Sequence, residues 1–172
     1  MANKVDLLMD EREVSIATSK DEKEIITLLK DVANWLKEKG IDQWGFLAEG
    51  GEDEEIRQAI HNKETFVVKR NEHIVATLTL YKKQSLWDQH VWGIRNDRAI
   101  YLHRLAVDSS LIGSGLGIEV LKWAENKLKN DGIDMLRLDC VENNLKLNNF
   151  YSENGFVKIS TNDNHSLYQK IL

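Results

Sequence analysis

The stretch Ile112-Gly113-Ser114-Gly115-Leu116-Gly117 sets three glycines at alternate positions between a β-branched run and a helical pattern. Glycine lets backbone approach a ligand closely, and the N-terminus of the following helix offers unpaired N–H groups and a partial positive charge, so the pattern suits an anion such as a phosphate. A glycine turn that merely joins two elements has the same composition. A dinucleotide-binding turn needs G-x-G-x-x-G directly after its strand, whereas Gly113 lies six residues beyond Val107. Asp139 sits at a distance suited to a ribose contact, yet the remaining chain reads as hairpins rather than repeated βαβ units. A Walker loop is excluded because no Gly-Lys-Ser/Thr follows. His103 lies in the run just before the turn, and histidine alone has an unperturbed pKa near neutrality. It is a candidate base, although a strand histidine also serves as a hydrogen-bonded structural residue. Cys140 is the single cysteine, so there is no internal disulfide or cysteine-cluster metal site. With no partner base at a suggestive spacing, it reads as a buried strand residue.

The elements that must hold these residues follow from hydrophobic period. Val14 to Ala17 reads as a short strand, preceded over 1–13 by a lead-in or short helix. Ser19 and Glu22 have capping-box spacing, and Ile25, Leu28, Leu29, Val32 and Leu36 then recur at helical intervals until Gly40. A turn-rich connector through Trp44 leads to an acidic helix over Asp53 to Asn62. Thr65 to Lys69 and Ile74 to Tyr81 form a hairpin around Arg70-Asn71-Glu72-His73. A polar loop, Gln84 to Arg98, precedes the strand Ala99 to Val107. After the glycine turn a helix runs to about Asn130, where Asn130-Asp131-Gly132 stops it. Ile133 to Val141 is a strand, Asn143 or Asn144 can cap a helix ending at Asn154-Gly155, and a final hairpin turns around Asn162-Asp163-Asn164. The expectation is one α+β domain over 1–172, with a mixed sheet of about six or seven strands and about four helices.

A second motif, Asn144-x-x-Leu147-x-x-Phe150-Tyr151-x-x-x-Gly155-Phe156, follows the glycine turn after one helix and one strand. Together the two motifs resemble the GNAT superfamily of acetyl-CoA-dependent N-acetyltransferases, from about Ala99 to Phe156. Tyr101 to Val107 resembles that family's bulged central strand, and Leu136-Arg137-Leu138-Asp139-Cys140 the strand that splays from it. The resemblance implies acetyl-CoA as co-substrate and no metal. It implies that the backbone of Leu105, Ala106 and Val107 pairs with the pantetheine amides, as if an extra strand had been added. Backbone N–H groups of Gly113, Ser114, Gly115, Leu116, Gly117 and Ile118 would hold the pyrophosphate, and Asn144 would contact the pantetheine and pyrophosphate region. Tyr151 would give a proton to the leaving thiolate. His103 matches a histidine on the proton path of arylalkylamine N-acetyltransferases, whose first histidine is replaced here by Tyr101; deprotonation through ordered water is the alternative. Where the family carries basic residues in the turn this chain has Ile112 and Ser114, so ligand charge falls to backbone N–H groups and helix dipole, with Lys146 or Lys122 as helpers. Ser109 stands where many members have proline. The implied activity is acetyl transfer to a primary amine by direct attack in a ternary complex. The alternative is a non-catalytic acyl-CoA-binding sensor of the same fold.

Composition narrows the partners. The 172 residues include ten glycines, one cysteine and no proline, with a net charge of −5. Residues 1–60 carry eight basic against fifteen acidic side chains, and residues 61–172 fifteen against thirteen. A clustered basic face for nucleic acid is absent. No apolar run approaches a membrane span and the acidic start does not read as a signal peptide, so a cytoplasmic protein without a membrane partner is expected. The acceptor is a small-molecule or protein amine. The acidic stretch Glu49, Glu52, Asp53, Glu54 and Glu55 would attract a cationic one, and Trp44, Trp87 and Trp92 sit in connectors near the expected opening; solvated helix faces and loop anchors are the plainer readings. A homodimer is common in the resembled family.

Overall fold

Alternation along the central strands decides which helix covers which face. In Phe66-Val67-Val68, Phe66 and Val68 enter one core while Val67 enters another on the opposite side of the sheet, as period-two side chains must. The computed structural model describes residues 4–41 and 43–172; residues 1–3 of the expected lead-in and Asp42 of the connector lie outside the described residues. The elements are β1 (Asp6–Leu7), β2 (Glu13–Ile16), α1 (Glu22–Glu38), α2 (Gly45–Ala48), α3 (Asp53–His61), β3 (Thr65–Arg70), β4 (His73–Tyr81), α4 (Leu86–Trp92), β5 (Ile100–Val107), α5 (Leu116–Asn130), β6 (Met135–Val141), α6 (Leu145–Glu153), β7 (Val157–Asn162) and β8 (His165–Ile171). The strands form one sheet in the order β1-β2-β3-β4-β5-β6-β8-β7, antiparallel except between β5 and β6.

The α+β fold with a mixed sheet is as expected, but with eight strands among the described residues. The eighth is β1, a two-residue edge strand on β2, too short to leave a period in sequence. Two helices were also hidden. α2 is a single turn inside the connector. α4 lies in the polar loop and starts at a Ser85–Asp88 capping box, where the Ser85 Oγ accepts from the Asp88 N–H at 3.1 Å and the Asp88 Oδ2 from the Ser85 N–H at 3.0 Å. The box at the start of α1 falls one residue earlier than expected, with the Thr18 N–H donating to the Asp21 Oδ2 at 2.9 Å.

The large core lies under α5 and α6. Leu116, Val120, Leu121 and Ala124 meet Leu78, Ile100, Leu102, Leu136 and Leu138 there. On the other face α1, α2 and α3 pack on Val67, Ile74 and Ala106, while Val91 and Trp92 of α4 pack on Tyr101 and Leu167. A proline-free chain must turn by other means, and both two-residue hairpin loops do so with residues in the left-handed region: Asn71 and Glu72 at φ 50° and 67°, Asp163 and Asn164 at φ 48° and 60°. That is the geometry whose twist matches the flanking strands.

Arg137 of β6 is buried and donates to Asp97 through Nη1 at 2.8 Å and Nη2 at 2.6 Å, and to the Tyr101 hydroxyl at 3.0 Å. The guanidinium hydrogen bonds hold the Asp97 carboxyl below its ordinary value. A depressed native pKa adds stability that is present above the unfolded value of about 3.9 and fades as pH falls through the native value. Thermal melts taken downward from pH 5 should therefore show a shallower loss of midpoint in Asp97→Asn than in the wild type. The difference should be small because Asp97 is half-exposed.

Candidate active site

β5 and β6 run side by side for only two registered pairs, Ile100 with Leu136 and Tyr101 with Arg137. Beyond that point each keeps its outer neighbour, β5 pairing with β4 as far as Val107 and β6 with β8 as far as Val141. A cleft therefore opens between them. The backbone of Leu105, Ala106 and Val107 borders it without a β6 partner, which is the arrangement an added strand requires.

A bulge in β5 decides what faces this cleft. Register shifts between Thr77 and Thr79 of β4, opposite the span from His103 to Ala106, and Arg104 there has φ 51°. One extra residue inverts the alternation: Ile100 and Leu102 enter the large core before the bulge, Leu105 and Val107 after it. His103 and Arg104 consequently both serve the side of α3 and α4. Arg104 donates to the Tyr81 hydroxyl at 2.6 Å and to Glu52 at 3.2 Å. The His103 Nε2 lies 2.8 Å from the Asp88 Oδ1, and its ring is tilted against Tyr81 at 5.0 Å. Asp88 is 1% exposed.

Asp139 faces the same centre from β6. The Trp87 indole N–H donates to its Oδ2 at 3.0 Å. Burial pushes the Asp139 carboxyl pKa up, opposed by His103 and the indole hydrogen bond. Donor atoms of Asp88, His103 and Asp139 lie within 4.8 Å of one another, near enough to share a proton or surround a small cation. Neither Asp88 nor Asp139 was expected here from sequence. Asp88 carried a readable signal, the capping-box spacing after Ser85; Asp139 carried none, because its place depends on where β6 pairs.

The glycine turn stands at the end of β5. Asp108 accepts from the Ser110 N–H at 2.9 Å and the Ser110 hydroxyl at 2.7 Å, so a capped 3-10 turn begun by Ser109 takes the place of a proline. Gly113 and Gly115 have φ 85° and 87°, and a Cβ on either would meet nothing within 4 Å. Among the described residues, the N–H groups of Gly113, Gly115, Gly117 and Ile118 make no backbone hydrogen bond. Those of Ser114 and Leu116 are turned inward, to the Leu111 carbonyl at 3.1 Å and the Ser114 hydroxyl at 3.4 Å. Gly117 passes close to Phe150 and Val107, its Cβ position lying 3.7 Å and 3.9 Å from their side chains. Four free donors at the N-terminus of a 15-residue helix, with open space at Gly113 and Gly115, fit a pyrophosphate. Gly115→Ala puts a Cβ on a left-handed residue and should cost about 1–3 kcal/mol, read as a lowered thermal midpoint.

Tyr151 of α6 is 6% exposed and is packed against Phe150, Phe156 and Tyr168 at ring distances of 5.3, 5.6 and 6.1 Å. Burial raises its pKa, so the phenol keeps its proton through the neutral range. Burial also pushes the neighbouring Cys140 thiol up to about 12, which leaves it unreactive. Asn144 caps α6, accepting from the Leu147 N–H at 3.2 Å, and its amide reaches the Gln43 side chain at 3.4 Å. The Gln43 oxygen also accepts from the Val141 N–H at 3.1 Å and so bridges the α1–α2 connector to the far end of the cleft.

Several expected helpers lie elsewhere. Lys122 lines a groove with Asp6, Ile16 and Trp123 beside β1 and β2. Trp92 is buried against Tyr101, and Trp44 packs under α1; only Trp87 reaches the centre. In the acidic stretch Glu52 and Glu55 share Arg104, Asp53 pairs with Lys30, and Glu54 lies 3.7 Å from Arg57, whose shorter contact is Glu22 at 2.8 Å. No described helix is long and apolar enough to cross a membrane.

Residues 29–156 match the model of the Acetyltransferase (GNAT) family. The uncharacterized N-acetyltransferase YesJ of Bacillus subtilis (strain 168) is 37% identical over 141 residues, 81% of this chain and 78% of that protein. A GNAT-family acetyltransferase from Listeria monocytogenes has a crystal structure that superposes with a TM-score of 0.83 at 30% identity, covering 98% of this chain and 100% of that one. The PaiA N-acetyltransferase of Thermoplasma acidophilum, solved with coenzyme A, shares the fold with a TM-score of 0.77 at 18% identity, over 94% of this chain and 99% of that one. On its motifs, its splayed sheet and these relatives, the chain belongs to the GNAT family of acetyltransferases.

Proposed function

We propose that the protein moves the acetyl group of acetyl-CoA onto a primary amine, by direct attack within a ternary complex. The observation that carries this reading is the β5–β6 cleft, with unpaired β5 backbone on one side and the four free N–H groups of the glycine turn at its end. Acetyl-CoA supplies the acetyl group as a thioester. The backbone of Leu105, Ala106 and Val107 pairs with the pantetheine amides, while Gly113, Gly115, Gly117 and Ile118 hold the pyrophosphate. The coenzyme A held by the PaiA relative of the same fold supports that assignment.

This chain supplies three functions to the reaction. β5 N–H groups facing the cleft stabilise the negative charge that develops on the carbonyl oxygen. His103 lies on the route of the amine proton. Tyr151, kept protonated by its apolar surroundings, delivers a proton to the departing sulfur.

Calorimetric titration with coenzyme A, followed by thiol release from acetyl-CoA with a panel of primary amines, tests the reading. Binding together with amine-dependent thiol release is expected. Binding with no turnover for any amine would instead identify an acyl-CoA sensor, and absence of binding would refute both.

A further inference from the structure

Two carboxylates and an imidazole from three elements converge beside the cleft: Asp88 from α4, His103 from β5 and Asp139 from β6. Among the described residues neither carboxylate has a Lys or Arg partner; Asp88 is held by His103 and Ser85, and Asp139 by Trp87. Their other neighbours are the Tyr81 ring against His103 and the His165 ring, 4.8 Å from Trp87. Carboxylates placed together in a partly dry site are relieved either by protonation or by a cation that answers their charge. The acidic residues at the start of α3 each have a cationic neighbour, Asp53 in Lys30, Glu54 in Arg57 and Glu55 in Arg104. Asp88 and Asp139, by contrast, stand at the centre between α4 and the cleft without such a partner among the described residues.

We propose that this cluster receives an alkylammonium acceptor, with Asp139 as the carboxylate that binds the ammonium and Asp88 as the positioning residue that fixes His103 for proton removal. The inference rests on the acetyl-transfer reading above. A carboxylate can only accept, so at 2.8 Å the Nε2 of His103 carries the hydrogen and Nδ1 is left as the basic nitrogen. Asp88 cannot swing away, because its second oxygen accepts the Ser85 N–H and its side chain is buried. Asp139 spends one oxygen on the Trp87 indole and keeps the other for a ligand.

The proton balance closes without further reactants. The ammonium gives one proton to Nδ1 of His103, producing an imidazolium held by Asp88. The freed lone pair forms the C–N bond as the C–S bond breaks. The sulfur takes the Tyr151 proton, and the second proton of the attacking nitrogen restores the phenol. His103 then releases its proton to solvent, so one ammonium and one thioester become one amide, one thiol and one proton.

Benzylamine, charged at neutral pH, and aniline, uncharged there, form the diagnostic pair within a panel of primary alkylamines. The wild type is expected to prefer alkylamines. Asp139→Asn should raise the alkylamine KM about 10- to 100-fold, the worth of a charge-assisted hydrogen bond, with a smaller effect on kcat. Asp88→Asn should lower kcat about 100-fold or more, with KM nearly unchanged, and Asp88→Glu should recover part of it. Coenzyme A binding and thermal midpoints report that each variant is folded; if Asp88→Asn does not fold, the Asp139→Asn result decides alone. Preference for aniline, an unchanged alkylamine KM in Asp139→Asn, or coenzyme A binding with no alkylamine turned over would overturn this proposal. Failure of the wild type to bind coenzyme A would overturn the acetyltransferase reading beneath it.

Discussion

Tyr151→Phe should lower kcat about 100-fold or more while leaving the protein folded and coenzyme A affinity nearly unchanged. The substitution removes one oxygen and retains a ring held on three sides by Phe150, Phe156 and Tyr168, so little packing is lost. What disappears is the proton donor proposed for the departing sulfur, and positioned general acids contribute about 100- to 10,000-fold. The sign of the pKa effect sharpens the expectation. Burial favours the neutral phenol, which raises the pH at which it ionises. The acid limb governed by Tyr151 should thus lie well into the alkaline range, and wild-type kcat should not fall between pH 7 and pH 9 through loss of that proton. Stopped-time thiol release at several pH values measures both effects. A Tyr151→Phe enzyme with unchanged kcat would remove the residue from the chemistry.

Leu136→Ala should destabilise the fold by about 2–5 kcal/mol, the range for removing a buried leucine side chain. Leu136 is fully buried and pairs with Ile100 at one of the two points where β5 and β6 touch. Its side chain lies in the large core with Leu102, Leu121 and Leu138, where close packing leaves little room to relax. For a chain of this size each kcal/mol is worth roughly 2–4 °C, so the melting midpoint should fall by roughly 4–20 °C. The site should weaken as well, because this contact is the fulcrum from which the cleft opens. A substitution such as Val157→Ala on the exposed edge strand β7 should move the midpoint little and provides the comparison.

Local rules made much of the fold legible. The helical spacing of Ile25, Leu28, Leu29 and Val32 specifies α1 because those side chains must share one face. Asn162-Asp163-Asn164 marks the last hairpin because Asp and Asn tolerate left-handed backbone. Of the two candidate caps Asn143 and Asn144, the second serves, its short amide accepting from the Leu147 N–H. Short elements escaped: β1 has two residues, and α4 was obscured by the polar composition of its loop. The Ser85–Asp88 spacing that begins α4 obeys the same rule as the box before α1.

The sequence by itself determined the glycine turn, the order of the longer strands and helices and the presence of a histidine ahead of the turn, because each depends on residues within one or two turns of chain. Tertiary structure alone decided that Arg104 reaches Glu52 and Glu55, and that Asp88 and Asp139 meet His103 at the cleft without a Lys or Arg partner among the described residues. Those facts depend on a one-residue bulge at Arg104 and on where β5 and β6 part. The physical reason is that strand register is set by packing between distant segments, and a shift of one residue sends every following side chain to the opposite face of the sheet.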